Sequence, residues 1–294
     1  MIIGGRKPEP MGETTSSSSE IAPKKRVILD IKAEVAKLKT MYNESGRERY
    51  NLIVYGDKGS GKTTLFSTVR KPAFIDCFDP GGHMVLRKEI EEGSIVVDTR
   101  WEKDDPSNPT AFDQWEKVFK ERVAGGFFNH FATYGWDSLT TFSQIIMNSV
   151  LKKQGRTNGI PNTGKGGDND YIHQMLKLEN SLALAFSLPC DLIVTAHPDA
   201  EKDETVGKVF IQPLITGKAK IRIPLLFDEM YYAQAQETKD GVEYSLLTRL
   251  TRNFKASSRL ARGAKIEMYE KPDIKLILRK AGLPAEDKPK PWFE

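Results

Sequence analysis

Cysteine is almost missing from this chain. Cys77 and Cys190 are the only two in 294 residues, and neither their number nor their spacing suits a disulfide framework or a metal-binding ribbon. Such scarcity fits a reducing compartment, so a soluble, cytoplasmic protein is expected. Long apolar runs are missing too. None approaches the roughly 20 residues of a membrane-spanning helix, and MIIGGRKPEP at the start lacks the apolar core of a secretory signal. No membrane partner is therefore expected. Neither sign of charge dominates, with 44 Lys and Arg against 40 Asp and Glu and a formal net charge of +4. A balance that mild does not by itself argue for nucleic acid, and the distribution of the charges has to decide. The length leaves room for one α/β domain of roughly 200 to 250 residues with extensions, enough to bury a sizeable core.

What the chain does have is the stretch YNLIVYGDKGSGKTTL, from Tyr50 to Leu65. A strand-like run, Leu52 to Tyr55, leads into Gly56, Gly61, Lys62 and Thr63 at the spacing G-x-x-x-x-G-K-[ST], and a helix-like run from Lys62 to Val69 follows. Glycines at that spacing let backbone N–H groups curl round a polyphosphate, and a helix N-terminus adds partial positive charge there. The expected ligands are ATP and Mg²⁺, cradled by Gly56, Asp57, Lys58, Gly59, Ser60, Gly61, Lys62, Thr63 and Thr64. Lys62 would reach the β- and γ-phosphate oxygens, and Thr63 would ligate the metal.

Residues 1–25, with PEP, TTSSSSE and APKK, read as a disordered polar tail. Residues 26–49 carry Ile31, Val35, Leu38 and Tyr42 at helical spacing, an amphipathic helix whose mate is the core or a neighbouring subunit. Residues 50–262 read as the catalytic core and 263–294 as a C-terminal helix and tail. Within the core, strands are predicted at 71–76, 94–98, 130–137 and 191–195, and a helix over 111–123. Two more helices carry apolar stripes, one with Leu139, Phe142, Ile145, Ile146 and Val150, the other with Ile172, Met175, Leu178, Leu182 and Ala185. A hairpin pairs 230–235 with 242–251 through KDG. Strands alternating with helices imply an α/β fold with a mostly parallel sheet and the antiparallel hairpin at one edge.

A nucleotide site of this kind needs a strand-ending carboxylate to hold Mg²⁺, and Asp137 in ATYGWDSLTTF is the candidate. It also needs a carboxylate to orient the attacking water, for which AFIDCFDPGG offers Asp76 and Asp79. At this point the sequence resembles the RecA-like ATPases, whose second strand likewise ends in Phe-Ile-Asp. Their catalytic glutamate has no counterpart here: its position falls nearest Phe78, and Asp79 or Asp76 would substitute. The resemblance extends to VTAHPD, where it implies that His197 senses the γ-phosphate and signals to a DNA-binding loop. QPLITGKAKIRIPLLFDEMYY and FKASSRLA look like the phage-encoded RecA-like proteins of the single-strand-annealing (Sak-type) group, over about Tyr50 to Arg262.

That resemblance implies two loops facing single-stranded DNA. The first, Leu151 to Tyr171, offers Lys152, Lys153, Arg156 and Lys165 for phosphates and Tyr171 for base stacking, against Asp168 and Asp170. The second, His197 to Lys220, has Lys202, Lys208, Lys218 and Lys220 with Phe210 and Ile211, but also Asp199, Glu201, Asp203 and Glu204. Lys255 and Arg259, four apart, would share a helical face and reach a neighbour's γ-phosphate as trans-acting cations. The expected function is a DNA-dependent ATPase in phage-type recombination or annealing, assembled as a homo-oligomeric ring or filament and working with a single-strand-binding protein. The alternatives are a ring-forming helicase or motor of the same fold, and a small-substrate or regulatory NTPase without nucleic acid.

Overall fold

Strand β1 (Asn51–Tyr55) is buried from Leu52 onward, and its side chains split by the two-residue period of a strand. Ile53 and Tyr55 join one apolar cluster, Leu52 and Val54 another. A strand buried on both faces belongs in the middle of a covered parallel sheet. That is its place in the computed structural model, which describes residues 30–44, 49–165, 169–203, 207–263 and 265–290. The remaining strands are β2 (Ala73–Cys77), β3 (Ile95–Asp98), β4 (Thr133–Asp137), β5 (Asp191–Ala196), β6 (Pro198–Asp203), β7 (Lys208–Pro213), β8 (Glu229–Thr238), β9 (Gly241–Leu247), β10 (Ser257–Ser258) and β11 (Tyr269–Glu270).

Among the described residues the main sheet runs β11-β9-β8-β1-β5-β4-β2-β3, with β10 pairing β8. From β8 to β3 every neighbour is parallel, and β9, β10 and β11 add antiparallel pairs at the β8 edge. The mostly parallel sheet with an edge hairpin is therefore as expected. The hairpin turns at Lys239 and Asp240, between the paired Thr238 and Gly241.

The helices are α1 (Ile31–Glu44), α2 (Arg87–Glu91), α3 (Ala111–Ala124), α4 (Leu139–Lys153), α5 (Asp170–Phe186), α6 (Ala219–Arg222) and α7 (Ile274–Ala281). α3, α4 and α5 cover one face of the sheet, and Trp115, Phe142 and Leu182 join Phe74, Tyr134 and Trp136 there. Full burial of each such side chain is worth roughly 1.5–3 kcal/mol. On the other face α7 packs Ile274, Ile277 and Leu278 against Leu52, Leu65 and Phe66, so the C-terminal segment belongs to the same core. Asp273 caps α7 by accepting from Leu276 N at 2.9 Å.

The chain divides into two units, 1–45 and 46–294. In the first, Asp30 Oδ1 accepts from Lys32 N and Ala33 N, starting α1, and Ile31, Val35 and Leu38 are exposed. The side chain of Tyr42 and the polar tail lie outside the described residues.

Four local expectations are corrected. After the glycine loop there is no α-helix over 62–69 but one 3₁₀ segment, Thr64–Thr68. Thr68 Oγ1 bonds back to Leu65 O at 2.8 Å, a side-chain alternative to helix propagation, and Pro72 follows shortly. The segment 151–171 is not all loop, because α4 continues through Lys153 and α5 begins at Asp170. The segment after His197 is the antiparallel hairpin β6–β7, not a loop. Finally, Lys255 and Arg259 share no helical face: the short strand β10 lies between them. No helix among the described residues is long and apolar enough to cross a membrane.

Candidate active site

β1 ends between β5 and β8, and the glycine loop leaves its carboxyl end. Gly56 is demanded by proximity, since a Cβ there would lie 2.3 Å from Ala233 O on β8. Gly61 is demanded by conformation, with φ of +86°. Lys58, Gly59, Gly61, Lys62, Thr63 and Thr64 line a cavity of about 1000 Å³ that Asp79, Asp137, Thr141, His197 and Tyr244 also enter. Gly56, Asp57 and Ser60 do not line it. Lys62 Nζ donates to Gly56 O at 2.7 Å and Asp57 O at 2.8 Å, curling over its own loop. Burial pulls its pKa down, while Asp137, Asp79 and Asp57 oppose the shift. With only one 3₁₀ segment after the loop, a phosphate bound here would meet the loop N–H groups and Lys62 rather than a full helix N-terminus.

Asp137 ends β4 and is buried, which raises its pKa despite hydrogen bonds from Thr195 and Thr63. Thr63 Oγ1 donates to Asp137 Oδ2 at 2.8 Å, and Thr195 Oγ1 donates to Oδ1. A hydroxyl and a buried carboxylate meeting in a polyphosphate-sized cavity are hard oxygen donors in need of a counter-charge, which fits Mg²⁺.

The two carboxylates proposed for the water separate sharply. Asp76 lies within β2 and is wholly buried, accepting from Trp101 Nε1 at 3.0 Å, Trp115 Nε1 at 2.9 Å and Tyr134 OH at 2.5 Å, with Arg122 3.5 Å away. It does not line the cavity, because strand alternation turns it into the aromatic layer beneath α3. Asp76 is thereby removed from the candidate catalytic set. Asp79, beyond the strand end, lines the cavity. Its Oδ1 accepts from Ser138 Oγ at 2.9 Å and from Thr141 Oγ1, and its Oδ2 lies 3.0 Å from His197 Nε2. Burial pushes its pKa up, but the bonds from His197, Thr141 and Ser138 outweigh it and hold the carboxyl below its usual range. His197 O accepts from Leu214 N at 2.7 Å, so the histidine joins the cavity to the base of the β6–β7 hairpin.

Ser138, Thr141, Thr195 and Tyr244 were not singled out by sequence reasoning. DSLTTF did carry a signal for the first two, a serine N-cap with a threonine three residues on; Ser138 accepts from Thr141 N at 3.4 Å. Tyr244 comes from the edge hairpin and meets Gly61 only in three dimensions, where a Cβ on Gly61 would lie 3.4 Å from its ring.

The first set of nucleic-acid candidates is tied into the protein. Lys152 Nζ donates to Pro109 O, Lys153 pairs with Asp113 at 2.8 Å, and Arg156 pairs with Asp170 at 2.8 Å. Tyr171 sits half-buried in the first turn of α5, Lys165 is exposed, and Asp168 lies outside the described residues. In the hairpin, Lys208 Nζ lies 4.7 Å from the Phe210 ring centroid and Lys255 Nζ 5.4 Å from it. Lys255 also donates to Gln212 Oε1 at 2.5 Å, and Lys220 pairs with Glu201 at 2.5 Å. Glu204 and the side chain of Asp203 lie outside the described residues. Arg259 pairs with Asp228 at 2.7 Å, beside Asn51 at the amino end of β1. That is the end of the sheet opposite the glycine loop, so Arg259 does not serve its own chain's phosphates.

A family model described as an AAA domain matches residues 48–260. The chain belongs to the AAA domain family. Its cavity, at the carboxyl end of a mostly parallel α/β sheet, is that of a nucleotide-binding P-loop NTPase, and membership of this family supports NTP hydrolysis. No curated protein matches the chain in sequence. Among solved structures it is similar to the flagellar accessory protein FlaH of Methanocaldococcus jannaschii, at 12% identity and TM-score 0.39 over 75% of this chain and 83% of that one. It is also similar to a KaiC-like protein of Pyrococcus horikoshii, at 13% identity and TM-score 0.37 over 71% and 82%.

Proposed function

We propose that this AAA domain protein hydrolyses ATP in a single-stranded-DNA-dependent manner, as an oligomer acting in recombination or annealing of the phage Sak type. The observation that carries the reading is the chain of contacts Asp79–His197–Leu214, which leads from the phosphate cavity to a hairpin bearing Lys202, Lys208 and Phe210. Lys62 binds β- and γ-phosphate oxygens once it leaves the loop carbonyls. Asp79, held by Ser138, Thr141 and His197, orients the attacking water and accepts its proton. Thr63 and Asp137 hold Mg²⁺, which when bound neutralises phosphate charge. A γ-phosphate competes with Asp79 for the His197 ring, and its arrival is felt at the hairpin base. Phe210, flanked by two lysines, offers a stacking face with cations beside it, as sequence-tolerant single-strand binding requires. Arg259 completes a neighbour's site in trans; Lys255, held beside Phe210 and Gln212 at the other end of β1, belongs to the DNA surface instead.

The test is ATP turnover with and without single-stranded DNA, in the wild-type protein and in Lys62→Ala. Stimulation that is lost in the variant is expected. Turnover indifferent to DNA would favour a small-substrate NTPase, and strand unwinding would favour a ring motor.

A further inference from the structure

Behind the phosphate cavity lies a second group of side chains that the nucleotide site does not use. Cys77, His83 and Glu102 each offer one ligand atom, and the three atoms lie within 4.8 Å of one another. We propose that these residues form a zinc-class metal site, separate from the one that holds the nucleotide's metal.

The three arrive from different places. Cys77 is the last residue of β2, His83 follows the Gly81–Gly82 turn, and Glu102 follows Trp101, whose indole is anchored on buried Asp76. His83 Nδ1 and Glu102 Oε1 are 2.6 Å apart, and the other carboxylate oxygen, Oε2, accepts from Gly81 N at 3.1 Å. Cys77 Sγ donates to Asp79 O at 3.4 Å. Cys77 is 1% exposed, whereas the His83 ring is 25% exposed, so the group is closed on the sheet side and open to solvent at the histidine. One sulfur, one imidazole nitrogen and one carboxylate oxygen are a donor set for Zn²⁺ and its borderline-soft relatives, with a fourth position left for water. Magnesium and calcium prefer oxygen throughout.

The location separates the two metals while coupling them. Gly81 and Gly82 line the phosphate cavity; Cys77, His83 and Glu102 do not. A Cβ on Gly82 would lie 3.1 Å from Asp137 Oδ2 and 3.6 Å from Cys77 Sγ, so this turn touches both groups. As the metal binds, the Cys77 thiol releases its proton to solvent, the His83–Glu102 bond opens as the imidazole carries its proton on Nε2 and frees Nδ1, and the thiolate forms the metal–sulfur bond. A thiolate no longer donates to Asp79 O, and the turn is fastened through His83 and Glu102 instead. Metal occupancy would thus change how the segment carrying Asp79 is held.

Cobalt(II) titration of the metal-stripped full chain tests this, because a thiolate-to-cobalt charge-transfer band cannot come from Thr63 and Asp137. We expect one Co²⁺ per chain with that band, its displacement by Zn²⁺, and its persistence in excess Mg²⁺ and ATP. Cys77→Ser should abolish the band and Cys190→Ser should keep it. His83→Ala and Glu102→Gln, at less buried positions, should each weaken Zn²⁺ binding by at least about tenfold while nucleotide binding persists as the check on folding. Absence of the band, its survival in Cys77→Ser, unchanged Zn²⁺ affinity in both other variants, or its loss on adding Mg²⁺ would each overturn the proposal.

Discussion

Asp76 and Asp79 sit three residues apart at the end of β2, and their surroundings drive them in opposite directions. Burial raises the pKa of Asp76, although Tyr134 and Trp115 donate to it and Arg122 lies close by. Burial also raises Asp79, yet there the donors win and the pKa falls. Asp76 is met by indoles and a phenol of the apolar layer, with its strongest partners fixed in the core. Asp79 is met by two hydroxyls and an imidazole at a cavity, groups that can exchange one partner for another. A buried carboxylate satisfied by core side chains holds a fold together, whereas one satisfied at a cavity by exchangeable donors is free to do chemistry.

The largest effect expected in the cavity is that of Lys62→Ala. Losing the phosphate-facing cation should lower turnover by about 100-fold or more. Stability should shift by no more than about 1 kcal/mol, since Lys62 bonds only to carbonyls of its own loop. Turnover and thermal unfolding of the same sample check both halves. Unchanged turnover would remove the ATPase assignment and leave the Asp79 contrast without its chemistry.

Next comes Asp79→Asn, which should keep nucleotide binding and reduce turnover by roughly 10²–10⁴-fold. Its pH dependence sharpens the contrast. A carboxyl held below its usual range contributes stability at neutral pH, and that contribution is lost as pH falls through the lowered folded pKa. The unfolding-temperature gap between wild type and Asp79→Asn should therefore be widest near neutrality and close in acid. A gap independent of pH would show that the hydrogen bonds to Asp79 are not specific to its ionised form.

Asp76→Asn should do the reverse. Placing an amide NH₂ among donors destabilises the fold by about 2–4 kcal/mol, while turnover per folded molecule stays near wild type. Denaturant unfolding beside active-site-normalised kinetics decides it, and a catalytic loss without a stability loss would erase the distinction between the two aspartates.

The smallest effect is on salt dependence. Neutralising Lys202, Lys208 and Lys255 should flatten the log–log salt slope of single-strand binding by roughly 0.7 for each phosphate no longer neutralised. Neutralising Lys152, Lys153 and Arg156 should change the slope little and cost stability, because Asp113 and Asp170 are left without these cations. An unchanged slope in the first variant, with a changed one in the second, would move the proposed DNA surface back to the segment between α4 and α5.

The glycine loop, Lys62, Thr63 and the strand-ending Asp137 were legible in the sequence because they are local: each depends on spacing within one strand–turn unit. The mostly parallel sheet was legible because strand-like runs alternate with helix-like ones along the chain, which calls for crossover connections. The short 3₁₀ segment after the loop was not legible, because hydroxyl-to-backbone bonding and the cost of continuing toward Pro72 compete with a helical pattern that is complete in the residue types alone. Nor was the β6–β7 hairpin. Its strands mix charged and apolar residues, and its register is seen only in the pairing of Pro198 with Pro213 through Asp203 with Lys208.

By itself, then, the sequence determined that a phosphate-binding loop would follow a buried parallel strand, because the backbone conformations and apolar burial involved are written in consecutive residues. Only the tertiary structure put Asp79 and not Asp76 at the cavity, brought His197 and Thr141 to it, and set Cys77 beside His83 and Glu102. Those outcomes depend on which strand lies next to which and on the direction each side chain takes from its pleat, and neither is encoded in spacing along the chain.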